Sequence, residues 1–241
     1  MIEVKNVTYS YKERNALKNI SININEGESV ALIGPNGSGK STFLKLLNGI
    51  VFHKKGEYIF DGEKITEQKL NNNIFSKLFH KKIGFVFQNS DTQLFCSTVY
   101  EEIAFGLRQM GFSQEEVNKR VYDCLELLNI EKLKHEAPYN LSGGEKKKVA
   151  IASILSINPE VITLDEPMNG IDPKGKKFLR ELMKKLNASG KTLICSTHDF
   201  EYIKGIFKRA IVFSQDHEII RDDEYEKVIQ DEEFLIRNNI K

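Results

Sequence analysis

Cysteine is scarce in this chain of 241 residues: Cys96, Cys124 and Cys195 are all it has. An odd number at wide spacing gives neither a disulfide framework nor a metal-binding pattern, so free, buried thiols in a reducing compartment are expected. Long apolar runs are missing as well, and nothing approaches the ~20 residues of a membrane-spanning helix. The opening "MIEVKNVTYS" has no basic stretch followed by an apolar one, so no secretory signal is expected. An excess of one charge sign is also lacking: 35 Lys and Arg offset 34 Asp and Glu, for a net charge of +1. No global field therefore favours nucleic acid or an anionic membrane. Internal repeats, low-complexity segments and linkers are absent. These absences predict a cytoplasmic protein without nucleic-acid partners, whose membrane role, if any, runs through another protein.

What is present suits a globular α/β chain. Hydrophobic residues make up 40% and charged residues 29%, ordinary values for a folded domain. A chain of this length buries roughly 70–75% of its unfolded surface. Ile20, Ile22 and Ile24 alternate with Ser21, Asn23 and Asn25, which predicts a half-buried strand among antiparallel strands at the N-terminus. "GEYIFDGEKI" predicts a further short strand ending in an Asp-Gly turn. Four runs are apolar almost throughout: "SVALI", "IGFVF", "VITL" and "TLICS". Continuous apolarity predicts strands buried on both faces of a parallel sheet. Each run ends at a chemically loaded residue: Gly34, Gln88, Asp165 with Glu166, and His198. Ligands of open α/β sheets bind beyond such carboxyl ends. Between Asp91 and Asn140 the pattern is helical. Ser113 and Glu116 form a capping-box signature, followed by Val117, Val121, Cys124, Leu125 and Leu128 on one helix face. "DEYEKVIQDEEFLIRNNI" predicts a charged helical tail.

"GPNGSGKST", Gly34 to Thr42, follows a strand and precedes the helical run "TFLKLLNG". This is the G-x-x-x-x-G-K-[ST] phosphate loop in the context it requires. Its glycines let backbone N–H groups turn toward phosphate oxygens, and the helix N-terminus adds a positive dipole end. Lys40 can reach the β- and γ-phosphates, and the Ser41 hydroxyl can ligate Mg²⁺. Asp165, at a strand end, is placed like a carboxylate that holds Mg²⁺ through water. Glu166 beside it can polarise an attacking water as general base. His198 can contact a γ-phosphate or orient the water. A histidine or a glutamine at a strand end also commonly serves as a simple backbone cap, and that reading stays open for His198 and Gln88. "LSGGEKKKVA" sets Ser142 and two glycines before an apolar helical run, where a close backbone approach or a serine-capped helix start is expected.

Taken together the motifs resemble the nucleotide-binding subunit of ATP-binding-cassette transporters over nearly the whole chain. "GPNGSGKST" (Gly34, Pro35, Asn36, Gly37, Ser38, Gly39, Lys40, Ser41, Thr42) matches the family's phosphate loop, Gln88 its Q-loop glutamine and "LSGGE" its signature. "VITLDEP" matches the second Walker motif, Asp172 in "NGIDP" the D-loop, and His198 the switch histidine. Tyr11 in "VTYSY" matches the aromatic that stacks on adenine. All stand in family order. The resemblance implies an α/β P-loop NTPase core with a mainly parallel sheet, an N-terminal antiparallel β subdomain and an inserted helical subdomain. In this division residues 1–241 are one ATPase domain, with 1–90 and 141–241 as nucleotide-binding core and 91–140 as helical subdomain. It further implies ATP and Mg²⁺ as cofactors, with Ser41, Gln88 and, through water, Asp165 as metal residues, and Glu166, His198 and Gln88 as catalytic residues. In the family two cassettes sandwich two ATP molecules. Ser142, Gly143, Gly144 and Glu145 would thus serve the ATP held by a second subunit, a copy or a relative.

Gln88 to Gly106, "QNSDTQLFCSTVYEEIAFG", is similar to a stretch of energy-coupling-factor importers, including cobalt and nickel members. That implies an integral membrane coupling subunit, a substrate-capture subunit and a place on the cytoplasmic face of the membrane. Glu101 and Glu102 are then candidates to receive basic residues of the coupling subunit. Glu145, Lys148, Met168 and Asn169 depart from the commonest family residues, Lys148 replacing an arginine and so losing bidentate contacts. Another importer class, or a soluble cassette ATPase in cluster assembly or another non-transport role, remains open. The short spacing from Gln88 to Ser142 has no room for the coiled-coil insertion of DNA-maintenance members.

Overall fold

The computed structural model describes residues 1–240. The chain begins with β1 (Ile2–Tyr11), β2 (Arg14–Ile24), β3 (Ser29–Ile33), α1 (Lys40–Leu47), β4 (Lys55–Phe60) and β5 (Glu63–Lys64). α2 (Glu67–Leu70), α3 (Asn73–Lys82) and β6 (Ile83–Val86) lead to α4 (Val99–Gln109), α5 (Gln114–Leu128) and α6 (Gly143–Leu155). β7 (Val161–Asp165), α7 (Pro173–Ala188), β8 (Thr192–Ser196), α8 (Phe200–Ile203), β9 (Arg209–Phe213), β10 (Ile219–Glu224), α9 (Tyr225–Gln230) and α10 (Glu232–Arg237) complete it.

Two sheets form, an antiparallel one in the order β2-β1-β4-β5 and a six-stranded one in the order β10-β9-β3-β8-β7-β6. The expected alternation holds in β2, where Ile20, Ile22 and Ile24 are buried and Ser21 and Asn23 are exposed, as is Asn25 just beyond it. The four apolar runs become adjacent parallel strands of the larger sheet. Their unbroken apolarity has a direct cause in β3. Val30 and Leu32 pack into a core shared with the antiparallel sheet and α1, while Ala31 and Ile33 pack into the core of the opposite face. That second core is closed by α4, α5, α6 and α7, with α4 and α5 both packed against α6.

The structure adds elements the sequence reading passed over: α2, α3, and the strands β9, parallel to β3, and β10, antiparallel to β9. Asp223 and Glu224 of the expected helical tail belong to β10, and only then does the chain turn into α9 and α10. Of the expected capping box at α5 only half exists. Ser113 accepts from the Glu116 N–H, but the Glu116 carboxylate turns to Arg120. Glu102 departs further from expectation. It is buried, and its Oε2 accepts from the backbone N–H of Phe95 (2.9 Å) and of Cys96 (2.7 Å). A buried carboxylate that accepts from these two backbone donors pins the 95–96 segment and is turned away from a partner's cation. Glu101 is paired within the chain to Arg108.

Candidate functional site

The parallel strands deliver their loaded ends to one place. A cavity of about 200 Å³ is lined by Asn36, Gly37, Ser38, Gly39, Lys40, Ser41, Thr42, Gln88, Glu166 and His198. Its floor is the loop after β3. Gly39 caps α1 at φ 109°, and a Cβ there would stand 2.3 Å from the Ala16 carbonyl oxygen. Only glycine lets the loop press this closely against β2. Lys40 is buried and donates from Nζ to the carbonyls of Gly34 (2.7 Å) and Pro35 (3.0 Å). Burial pushes its ammonium down, and Glu166 and Asp165 partly restore it. A phosphate oxygen entering here would compete with these two carbonyls for a cation already aimed at the loop.

Opposite lies the carboxylate pair. Asp165 Oδ1 accepts from Ser41 Oγ (2.9 Å) and from Ser196 Oγ (2.5 Å). Ser196 in turn accepts from the Glu166 N–H at 3.1 Å. Glu166 is buried at φ 46°, and burial pushes its carboxyl up against the opposing pull of Lys40. Its Oε1 has no hydrogen bond, with His198 Nε2 standing 3.1 Å away. Burial and Lys40 both push the His198 imidazole down, toward the neutral form. A buried, unpartnered carboxylate oxygen beside a neutral imidazole can accept a proton from water.

The donor set suits Mg²⁺. Ser41 and Asp165 share a hydrogen bond where a hard cation would sit among oxygens, and Gln88 faces the same cavity. One hydroxyl, one carboxylate at a distance and an amide leave the remaining positions to phosphates and water, as this ion prefers.

Ser142 to Glu145 open elsewhere. Ser142, Gly143, Gly144, Glu145, Lys148, Gly170, Asp172 and Phe178 are among the residues lining a second cavity of about 700 Å³, which shares no residue with the first. Ser142 caps α6 in a full capping box: its Oγ accepts from the Glu145 N–H, and the Glu145 carboxylate accepts from Ser142 N–H and Oγ. The two glycines have no packing reason within the chain. A Cβ on Gly144 would meet nothing within 4 Å, and one on Gly143 only the Gly170 carbonyl at 3.8 Å. Asp172 caps α7, accepting from the Gly175 N–H at 2.8 Å. Lys148 lies over the Phe178 ring at 4.8 Å, Met168 is buried in the core, and Asn169 is an exposed turn residue. Tyr11 ends β1, half exposed and edge-on to Tyr9, outside the lining of either cavity.

Two contributors lie outside the sequence-based expectations. Ser196 holds both carboxylate residues, and its position as the last residue of β8 beside Asp165 was the available signal. Lys147 was lost in a lysine run. It is buried, donates to the carbonyls of Phe87 (3.0 Å) and Gln88 (2.8 Å), and burial pushes its ammonium down to about 8. Helical phase would have revealed it, because positions 147, 150, 151 and 154 share one face.

The ABC transporter family model matches residues 17–169. A Clostridium acetobutylicum protein named as an ABC transporter ATP-binding protein is 68% identical, over all of both chains. The nickel import ATP-binding protein LarO of Lactiplantibacillus plantarum is 43% identical over 92% of each. The energy-coupling factor transporter ATP-binding protein EcfA of Methanothermobacter thermautotrophicus is 40% identical over 100% of this chain and 76% of its own. Among solved structures, cbiO1 of Clostridium perfringens, part of the ABC transporter complex cbiONQ, superposes with TM-score 0.82 at 33% identity, covering 100% of this chain and 94% of that one. The cassette MJ0796, solved as a dimer with ADP and Pi, does so with TM-score 0.84 at 35% identity, covering 93% and 99%.

Proposed function

The chain belongs to the ABC transporter family, whose ATP-binding subunits are ATPases, and from that premise we propose that it powers a membrane importer of the energy-coupling-factor type. Two cassettes close around two ATP molecules. Hydrolysis reopens them, and the motion drives a membrane coupling subunit with a substrate-capture subunit beside it, at the cytoplasmic face. The Gln88–Gly106 stretch and the names of the EcfA, LarO and cbiO1 relatives support the importer class. The cargo is a metal ion or a vitamin.

The observation that carries this reading is the separation of two half-sites. One cavity gathers the phosphate loop, Gln88, Glu166 and His198, while the signature glycines face outward with open space at Gly144. Glycine costs a helix interior ~1 kcal/mol against alanine; the first turn is more tolerant, yet no packing contact inside the chain calls for two glycines there. A phosphate approaching from a second subunit does, through the helix N-terminus and bare N–H groups. Within the first half-site Lys40 holds β- and γ-phosphates, and Tyr11 stacks on adenine. Glu166 takes the proton of the attacking water, and His198 holds the γ-phosphate side. Ser41, Gln88 and, through water, Asp165 hold Mg²⁺, which when bound supplies charge neutralisation at the phosphates. Residues 1–90 and 141–241 act as nucleotide-binding core and 91–140 as helical subdomain.

Mixing two dead variants tests the arrangement. Lys40→Ala removes a phosphate charge. Gly144→Glu fits the open space but sets a carboxylate against the incoming phosphate, costing several kcal/mol in a partly desolvated site. Each is expected to be inert alone. In a mixed dimer one site carries both lesions and the other neither, so ATP trapping should return. An inert mixture of confirmed heterodimers, from a chain shown to self-pair with ATP, would mean that each signature serves its own chain.

A further inference from the structure

The segment that carries Gln88 and the helix that carries the signature are fastened together. Lys147 on α6 donates to the carbonyls of Phe87 (3.0 Å) and Gln88 (2.8 Å). Gln93 bridges in the opposite sense, its Oε1 accepting from the Phe87 N–H (3.0 Å) and its Nε2 donating to the Ala150 carbonyl (3.0 Å). Lys146 adds an ion pair to Asp91 at 2.7 Å, whose exposed carboxylate makes it the weakest part.

Lys147 is only 3% exposed. An ammonium taken out of water is costly unless fully hydrogen-bonded, and this one spends its donors on the backbone at Gln88 itself. A methionine-like side chain would fill the same space without that penalty, so packing does not explain a lysine here. A helix is stiff over the turn and a half from Lys147 to Ser142. A shift of the Gln88 backbone therefore carries the α6 N-terminus with it.

We propose that Lys147 is a positioning residue that makes Gln88 and the Ser142–Gly144 helix start move as one body, so that each chain's grip on its own ATP sets its grip on the partner's. This rests on the reading that Gln88 serves the chain's own ATP and Ser142–Gly144 the partner's. Gln93 braces the same joint.

The test uses the mixed dimer of Lys40→Ala and Gly144→Glu subunits, with Glu166→Gln in both so that ATP is retained at the single intact site. Lys147→Met, which keeps the stem and removes the donors, is placed in one subunit at a time. In the Gly144→Glu subunit it loosens the Gln88 that faces the live ATP. In the Lys40→Ala subunit it loosens the signature that faces it. Release of labelled ATP should quicken at least ~10-fold with either placement, the scale of losing hydrogen bonds from a charged donor. Lys147→Arg, which keeps charged donors on a side chain of greater overall reach, should restore most of the retention. An effect from one placement only, or from neither, overturns the joint while leaving the two half-sites standing. A dimer without Lys147→Met that fails to trap ATP overturns the underlying reading, and the joint with it. Should Lys147→Met not fold, Gln93→Leu placed in the same two subunits decides the question by the same outcomes.

Discussion

Glu166 is held where few residues rest. Its φ of 46° lies in the left-handed region, which costs a non-glycine residue roughly 1–3 kcal/mol. The backbone is kept there by its N–H, which bonds both the hydroxyl and the carbonyl of Ser196 at 3.1 Å. The effect is to set the Glu166 carboxylate in the lining of the phosphate-loop cavity, with Oε1 buried 3.1 Å from His198 Nε2. Replacing it by glutamine preserves the shape but removes the carboxylate proposed as the base. Glu166→Gln should bind ATP as the wild type does and hydrolyse it at least ~100-fold more slowly, the low end for a lost general base. Single-turnover kinetics beside equilibrium nucleotide binding check this. Turnover near the wild-type rate would assign the proton to another group.

At the scale of an element, α6 has two demands on one hydroxyl. Ser142 Oγ gives its proton to Glu145 at 2.7 Å, and under the proposed arrangement a phosphate of the partner's ATP would compete for the same proton. Those hydrogen bonds from Ser142 hold the Glu145 carboxyl below the usual range. A depressed carboxylate stabilises the fold above its unfolded value and loses that contribution as pH falls through the folded one, so the cap weakens on acidification. Glu145→Gln keeps an acceptor while removing a negative charge beside the phosphate. It should leave thermal stability nearly unchanged and strengthen ATP-driven dimerisation, whereas Glu145→Ala should cost about 1 kcal/mol, the scale of a lost hydrogen bond, or roughly 2–4 °C in Tm. Calorimetry and size exclusion with ATP separate the two, and weaker dimerisation in Glu145→Gln would remove the competition. The same helix shows what a sequence can disclose. "GPNGSGKST" was legible because fixed residue types at fixed spacing dictate one loop, and the parallel strands because burial on both faces leaves no polar position. Lys147 was not, since a lysine in a run of lysines reads as solvated until its helical phase is set against Ala150 and Ile151. Glu102 was misread in the same way: three residues after buried Val99 and one before buried Ile103, it had to point inward.

At the scale of the whole molecule, the two cavities stay apart. Among the described residues no helix is long and apolar enough to cross a membrane, and the two cavities of one chain share no residue. If a second copy completes both, ATP acts as the adhesive and stability becomes linked to protein concentration. Binding alone, at ATP about 100 times Kd, should add about 2.7 kcal/mol, a rise of roughly 5–11 °C for a chain of this size. In Glu166→Gln, where ATP is not consumed, the melting midpoint should climb further as protein concentration rises, because dimerisation removes the unfolding-competent monomer. Size exclusion under the same conditions should move the elution from monomer to dimer, with as many ATP molecules as chains. Lys40→Ala should show neither change, and ADP should support the monomer alone. A Glu166→Gln chain that retains ATP as a monomer, with a midpoint indifferent to its own concentration, would mean that a second copy does not complete the site, and the outward opening at Gly144 would then await a related cassette rather than this one.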